Sequence, residues 1–340
     1  MKQKPCYILG IESSCDDTAA AVLNHNKVLS NCVTNQEIHN QYGGVVPELA
    51  SRAHQINIIP VVDRALAEAN ISKKDLNAIA YTKGPGLLGS LLVGNSFSKS
   101  MSMGLNIPLI EVNHMQAHVL AHFIENKSKK PPKFPFIGVN ISGGHTQILI
   151  VNNYFEMKLI GVSLDDAIGE AFDKCGKKMG LDYPSGPLID KLSKKGNPKR
   201  FKFPIPKVDG LNLSYSGCKT SFMNFIDKEL NTNPKFIIDN LNDLCSSIQS
   251  TLIGIITQKI DAAVEETNIK TVAIGGGVSA NSEIRKFLIQ KEINNGWKVH
   301  IPLIEYSTDN AAMIGIVGYL KWKYKDFTDY YSVSNSRMSI

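Results

Sequence analysis

Two histidines four residues apart, His114 and His118, are the side chains in this sequence best suited to bind a metal ion. If the segment VNHMQAH (112–118) is helical, both lie on one face with Cβ atoms about 6 Å apart, a span that one ion can bridge. A third histidine, His122, follows, but eight residues of helix rise about 12 Å, too far for it to share an ion with His114. The alternative is that His114 and His118 are ordinary surface or core histidines.

The residue beside the first histidine decides between two kinds of metal chemistry. Zinc peptidases carry His-Glu-x-x-His, in which the glutamate acts as the general base. Met115 occupies that position here, and a thioether cannot take a proton from water. The sequence therefore disfavours a peptidase. Asp309, at a predicted helix start, is the candidate third ligand; the alternative is that it only caps that helix.

Two pairs of similar patterns recur along the chain. Strand, polar turn and strand occur at 6–23 and again at 136–151, while strand, glycine loop and helix occur at 76–94 and at 271–287. This weak duplication predicts two similar α/β lobes facing each other across a cleft. A glycine loop between a strand and a helix lets a phosphate approach the backbone, although neither a P-loop nor a Rossmann fingerprint is present.

The lobes are expected to divide near Pro131 and Pro132, which are typical of a connector. We predict a first lobe over 1–130 that carries the two-histidine helix, and a second, nucleotide-binding lobe over 131–309. Residues 310–340 should form a final helix and a tail that pack back on the first lobe.

Composition favours a cytosolic protein. No run of about 18 apolar residues is present, and the 340-residue chain has six cysteines without a Cys-x-x-Cys pair, which indicates reduced thiols. The net charge is +6, and basic residues crowd two segments that are either solvated loops or a nucleic-acid track. These residues are Lys127, Lys129, Lys130 and Lys133, and Lys191, Lys194, Lys195, Lys199, Arg200, Lys202 and Lys207.

A series of motifs from about Ile8 to Met313 resembles one family closely. The chain is similar to the bacterial TsaD (Kae/TsaD) family of tRNA N6-adenosine threonylcarbamoyltransferases, formerly described as glycoprotein endopeptidases (Gcp). The motifs are GIESSCDDTAAAV, GGVVPELASR, GPGLLGSLLVG, VNHMQAH, SGGHTQ, GEAFDK, GLDYPSGP, LNLSYSGCKT, GGGVSAN and STDNAAM.

The resemblance implies an actin-like ATPase (ASKHA) fold, an α/β architecture with two similar RNase H-like lobes around a nucleotide cleft. It implies transfer of a threonylcarbamoyl group from threonylcarbamoyl-adenylate to N6 of the adenosine 3′ of the anticodon. The substrates would be tRNAs that read codons beginning with A, and AMP would be released.

The resemblance also implies a set of site residues. His114, His118 and Asp309 would hold one divalent metal ion. Iron(II) is the metal usually given for the family, and zinc is the alternative. No catalytic base is assigned, and His145 and Asp173 are the candidates. Ser185 departs from the glycine that many family members have there. The adenylate would be bound by Asn140, Ile141, Ser142, Gly143, Gly144, Asp173, Gly186, Asp190 and Asn281.

Partners follow from the same resemblance. We expect tRNA, threonylcarbamoyl-adenylate, a paralogous TsaB-like subunit and a TsaE-like ATPase, and no membrane. Three other functions are compatible with the patterns alone: a phosphotransferase on the same fold, a non-catalytic scaffold or nucleotide sensor, and, least favoured, a metallopeptidase.

Overall fold

The computed structural model describes residues 4–340, with the backbone alone at positions 37, 40 and 41. The chain forms two compact units. Unit 1 contains the described residues up to Pro132 together with Pro302–Ile340, and unit 2 is Lys133–Ile301. Asp309 therefore belongs to the same unit as His114 and His118.

Unit 1 is built on a five-stranded mixed sheet with the order β3-β2-β1-β4-β5. Strands β1 to β3 form an antiparallel meander, while β4 and β5 run parallel to β1. The carboxyl ends of β1, β4 and β5 therefore meet at one edge of the sheet. The strands are β1 (Tyr7–Glu12), β2 (Thr18–Asn24), β3 (Lys27–Thr34), β4 (Ala78–Gly84) and β5 (Leu109–Asn113). Between and after them lie the helices α1 (Pro47–Glu68), α2 (Leu88–Leu105) and α3 (His114–Leu120).

Unit 2 repeats this topology. Its sheet has the order β10-β9-β6-β7-β8, with β6 to β8 antiparallel and β9 and β10 parallel to β6. The duplication predicted from the sequence is therefore confirmed. The strands are β6 (Phe136–Ile141), β7 (Thr146–Val151), β8 (Met157–Val162), β9 (Thr271–Gly275) and β10 (Lys298–His300). The helices are α4 (Ile168–Lys178), α5 (Ser185–Ser193), α6 (Ser216–Thr232), α7 (Phe236–Thr267) and α8 (Ser282–Asn295).

The last helix, α9 (Ala311–Tyr324), packs on β1, β2 and β4 of unit 1. Side chains alternate across β1, so that Leu9 and Ile11 join the core beneath α1, whereas Ile8 faces α9. β1 and β2 are buried on both faces, which explains their nearly continuous apolar sequence. Within residues 4–340, every helix is too short or too polar to cross a lipid bilayer. All six cysteines are free thiols, as expected.

Close packing of α9 on β1 depends on a glycine. A Cβ atom added at Gly10 would lie 2.4 Å from the carbonyl oxygen of Ala311 and 2.6 Å from the amide nitrogen of Gly315. Both atoms belong to the backbone, so no side-chain rotation can relieve the clash. We expect Gly10→Ala to lower the free energy of unfolding by about 1–3 kcal/mol, the usual cost of overpacking.

Gly104 offers a matched control. It lies exposed in α2, and a Cβ added there meets no atom within 4 Å. Gly104→Ala should therefore raise the free energy of unfolding by up to about 1 kcal/mol through helix propensity. Urea titration of the two variants measures both changes, and equal stability of Gly10→Ala and the parent chain would contradict the packing argument.

Candidate metal centre and substrate loops

The two histidines lie at the point where β5 ends and α3 begins. The side-chain oxygen of Asn113 accepts hydrogen bonds from the amides of Met115 at 2.8 Å and Gln116 at 3.2 Å, so that this residue caps the helix. His114 and His118 follow on one helix face with ring centroids 4.7 Å apart, as their spacing predicts. Met115 points into the core and is 1% exposed.

Asp309 reaches the same point from the other end of unit 1. Its Oδ1 atom lies 3.1 Å from Nε2 of His118 and 3.4 Å from Nε2 of His114. The sequence left open that Asp309 serves only as a helix cap. The side chain that caps α9 is instead Asn310, whose oxygen accepts from the amide of Met313 at 3.0 Å. The carboxylate of Asp309 therefore remains directed at the two histidines.

The geometry of these three side chains fits a metal ion. Their donor atoms all lie within 4.8 Å of one another, and the two histidine Nε2 atoms are 3.2 Å apart. Ligands placed about 2.1 Å from one ion in tetrahedral or octahedral geometry are separated by about 3.0–3.4 Å. Among the residues that the structure describes, this is the one group of three such side chains, and His122 does not belong to it.

A buried carboxylate orients the first histidine. Glu12, at the end of β1 and fully buried, accepts a hydrogen bond at Oε2 from Nδ1 of His114 at 3.0 Å. The same carboxylate accepts from the hydroxyl of Thr82 at 2.6 Å and from the amide of Ser14 at 2.5 Å. Because Nδ1 is engaged by Glu12, Nε2 is the ring nitrogen that faces Asp309 and would bind a metal, which is how carboxylates commonly orient a histidine ligand. Sequence reasoning missed Glu12; its signal was a lone acid at the end of an apolar strand.

The centre carries an excess of negative charge. Burial alone would lower the pKa of His114, but Glu12 and Asp309 outweigh it and raise that pKa well above its usual value. Burial likewise opposes ionisation of Asp309, yet the two histidines hold its pKa far below normal. Nearby, burial together with Asp16 and Asp309 raises the pKa of Asp17 to about 8. A bound cation would offset this crowding of carboxylates.

In unit 2, most of the predicted adenylate-binding residues lie at the end of β6 or in the loops that follow β6 and β9. Asn140 and Ile141 end β6 and are buried, and 142–145 forms the turn into β7. In this turn the amide of Ser142 donates to the carbonyl of His145 at 2.8 Å. Added Cβ atoms at Gly143 and Gly144 would meet no atom within 4 Å, so that the turn has open space beside it.

The glycine loop after β9 approaches this turn closely. Gly276 has a φ of +87°, and a Cβ there would lie 2.6 Å from the carbonyl oxygen of Ile141. Only glycine tolerates both conditions. The two loops therefore lie side by side at the carboxyl ends of neighbouring parallel strands, the usual place for a ligand in α/β folds.

The remaining predicted residues of unit 2 make hydrogen bonds at or near helix ends. Asp173 accepts from the amides of Ser185, at 2.8 Å, and Gly186, while burial raises its pKa. Asp190 and Asn281 are joined through Gln249, which donates to Asp190 at 3.1 Å and accepts from Asn281 at 2.8 Å.

The unusual Ser185 is buried and donates its hydroxyl to the carbonyl of Asp182 at 2.9 Å. The serine is therefore accommodated without an unpaired hydroxyl.

Residues 27–316 match the model of the TsaD family, described as tRNA N6-adenosine threonylcarbamoyltransferase. The chain belongs to the TsaD family. The tRNA N6-adenosine threonylcarbamoyltransferase of Christiangramia forsetii is 61% identical over 99% of both chains. That of Riemerella anatipestifer is 54% identical, also over 99% of both chains. The resemblance, the transferase class and the function predicted from the sequence motifs are thereby confirmed.

A solved structure supports the fold of this TsaD family member independently of sequence. HypF of T. kodakarensis superimposes with a TM-score of 0.62 over 95% of this chain and 48% of that one, at 15% identity. So low an identity bears on the fold alone. Together with the duplicated sheets, it confirms the predicted actin-like ATPase fold.

Basic residues 191–207 of this TsaD family member lie on the surface of unit 2. Lys191, at the end of α5, and the six that follow it are all exposed. Lys194 lies 3.7 Å from Asp190, and the guanidinium of Arg200 lies 5.9 Å from the ring centroid of Phe201. Most of these cations extend from irregular backbone and are accessible to a large partner.

Proposed function

We propose that this chain transfers the threonylcarbamoyl group from threonylcarbamoyl-adenylate to N6 of the adenosine 3′ of the anticodon, in tRNAs that read codons beginning with A. The N6–carbonyl bond forms, the carbonyl–phosphate bond breaks, AMP leaves with the bonding electrons, and N6 loses a proton. The observation that carries the proposal is the convergence of His114, His118 and Asp309 beside Met115. Zinc peptidases have a water-activating glutamate at the position of Met115, and the thioether cannot replace it, so the three ligands suit activation of a substrate better than activation of water.

Those three side chains would hold one divalent ion, and we favour iron(II) over zinc. When bound, the ion would supply Lewis-acid polarisation of a substrate oxygen. Glu12 keeps His114 in the tautomer that presents Nε2. Both imidazoles are buried, which limits the access of water to them.

The adenylate would be bound by the two loops after β6 and β9. Open space lies beside the backbone of Gly143 and Gly144, whose amides would donate to phosphate or carbonyl oxygens. Asn281 and Asp190, tied through Gln249, would bind the nucleoside.

Of the two candidate bases, Asp173 is engaged with the amides of Ser185 and Gly186 at the start of α5. We therefore assign Asp173 a positioning role, and His145 remains the candidate that accepts the N6 proton.

The tRNA would lie along the basic residues of unit 2. Changing Lys194, Lys195, Lys199 and Arg200 together to glutamine should weaken tRNA binding and flatten the dependence of affinity on salt, because fewer counterions are released. A matched variant changes four exposed lysines elsewhere, Lys73, Lys74, Lys158 and Lys270. Filter binding at several salt concentrations compares the two variants. If the salt dependence of affinity is unchanged in the first variant, its basic residues belong to a solvated loop and do not contact tRNA.

Protein partners belong to the same proposal. We expect a TsaB-like paralogue and a TsaE-like ATPase. The neighbouring helices α1 and α2 expose Ile56, Ile59, Leu88 and Leu92 by 48–74%, which suits an apolar contact with a related subunit. We expect the reaction to take place in the cytoplasm, because its proposed substrate is tRNA.

Reconstitution tests the activity. The purified chain is supplied with threonylcarbamoyl-adenylate and tRNA, with and without the two partner proteins, and nucleosides are analysed by mass spectrometry. Threonylcarbamoyl-adenosine should form only in tRNAs that read codons beginning with A. Formation of ADP from ATP and a small acceptor, without modified tRNA, would instead favour a phosphotransferase.

A further inference from the structure

Residues 326–340, which come after α9, run along β4 and β5, from Leu109 at the start of β5 to Asn113 at its end, and so reach helix α3. The amide of Thr328 donates to the carbonyl of Leu109 at 2.9 Å, and the amide of Asn335 donates to that of Lys83 at 2.9 Å. At the far end of the segment, the carbonyl of Ser339 accepts from Nδ2 of Asn113 at 2.9 Å.

Side chains fix the path of segment 326–340. The carboxylate of Glu111 accepts from the hydroxyls of Thr328 at 3.0 Å and Ser332 at 2.5 Å, as well as from Lys83. Burial would raise the pKa of Glu111, but these donors lower it.

The approach of the segment to β4 requires a glycine. A Cβ added at Gly84 would lie 1.8 Å from the carbonyl oxygen of Asn335, so that no larger residue would allow the segment this path. Gly84 therefore allows segment 326–340 to pack against β4.

The contact with Asn113 connects the segment to the metal centre. The side-chain oxygen of Asn113 caps α3, and its side-chain nitrogen donates to Ser339. One rotamer therefore gives both polar atoms a hydrogen-bond partner, in a residue that is only 3% exposed. His114, the first residue of α3, follows directly. We propose that segment 326–340 positions the metal centre, with Asn113 as the positioning residue through which it acts. The inference rests on the proposed metal site.

Loss of the bond to Ser339 should affect metal binding for a physical reason. Removal of Ser339 would leave the buried amide nitrogen of Asn113 unpaired. Whether Ser339 is removed or Asn113 is replaced by serine, the capping side chain loses the contact that keeps it from turning away from the amides of Met115 and Gln116. Helix α3 has only 7 residues and little cooperativity to resist fraying. The ligand atom of His114 would then no longer be held at its distance from Asp309.

Cobalt(II) binding to the metal-free full chain tests the proposal, followed by ligand-field absorption and by competition with a chelator. Asn113→Ser keeps a neutral capping oxygen but cannot reach Ser339. Deletion of 338–340 removes the same bond from the other side. Each should weaken Co²⁺ binding about 10-fold, as is common for residues that support a ligand. The two changes combined should weaken it no further, because both break one contact.

Two further variants complete the experiment. Tyr331→Ser alters a 91% exposed residue of the same segment and should bind Co²⁺ like the parent chain. Circular dichroism verifies the fold, and if Asn113→Ser does not fold, the deletion alone decides. Parental affinity in the folded variants, or effects that multiply on combination, would overturn the inference. If His114→Ala binds Co²⁺ as well as the parent chain does, the proposed metal site itself fails.

Discussion

Replacement of His114 by alanine is expected to remove the metal ion and to abolish transfer to tRNA. His114 supplies one of three donor atoms that converge within 4.8 Å, and the two that remain cannot hold the ion in the same geometry. We expect metal content to fall from one ion per chain to none. Transfer should fall about 100-fold or more, the effect of a few kcal/mol of lost transition-state stabilisation.

His122→Ala is the matched control for this variant. His122 lies one turn beyond His118 and outside the group of converging donors, so its loss should leave metal content and transfer unchanged. Metal analysis and a single-turnover transfer assay measure both effects. Full metal content and normal turnover in His114→Ala would refute the assignment of the site.

The second large effect is expected at Glu12. Each oxygen of its carboxylate accepts a hydrogen bond, from the amide of Ser14 at one end and from His114 and Thr82 at the other. In Glu12→Gln the amide nitrogen must face one of these donors, and the charge that favours a donating Nδ1 of His114 is lost. We expect metal affinity to fall about 10–100-fold.

A graded variant separates this effect from general damage. Thr82→Val removes one hydroxyl donor to Glu12 but leaves the contact with His114 in place. It should weaken metal binding much less than Glu12→Gln does, when both are measured by chelator competition. Equal losses in the two variants would indicate that packing at the end of β1, rather than orientation of His114, governs affinity.

The sequence predicted the features that depend on local pattern. Hairpins and glycine loops recur because each lobe repeats one topology, and the spacing of His114 and His118 alone places them on one helix face. The role of Asp309 was left open, because a carboxylate before a helix has the same sequence whether it caps or binds. The structure distinguishes the two roles, because it shows that Asn310, and not Asp309, caps α9.

Other parts of the site depend on contacts between distant segments. Glu12 meets His114 across 102 positions of sequence, since β1, β4 and β5 end at one edge of the sheet. Segment 326–340 has no periodicity, and its path is fixed by bonds to Glu111 and Asn113. Sequence patterns contain no register between such distant segments, which is why the contacts between these residues could not be predicted.

The most direct test of the central claim is transfer before and after removal of the metal. The purified chain is stripped with a chelator, dialysed, and assayed for single-turnover transfer from threonylcarbamoyl-adenylate to tRNA with the partner proteins present. Transfer should be lost on removal and restored by one equivalent of iron(II) or zinc per chain. An unchanged transfer rate in the metal-free chain would contradict the role assigned to His114, His118 and Asp309.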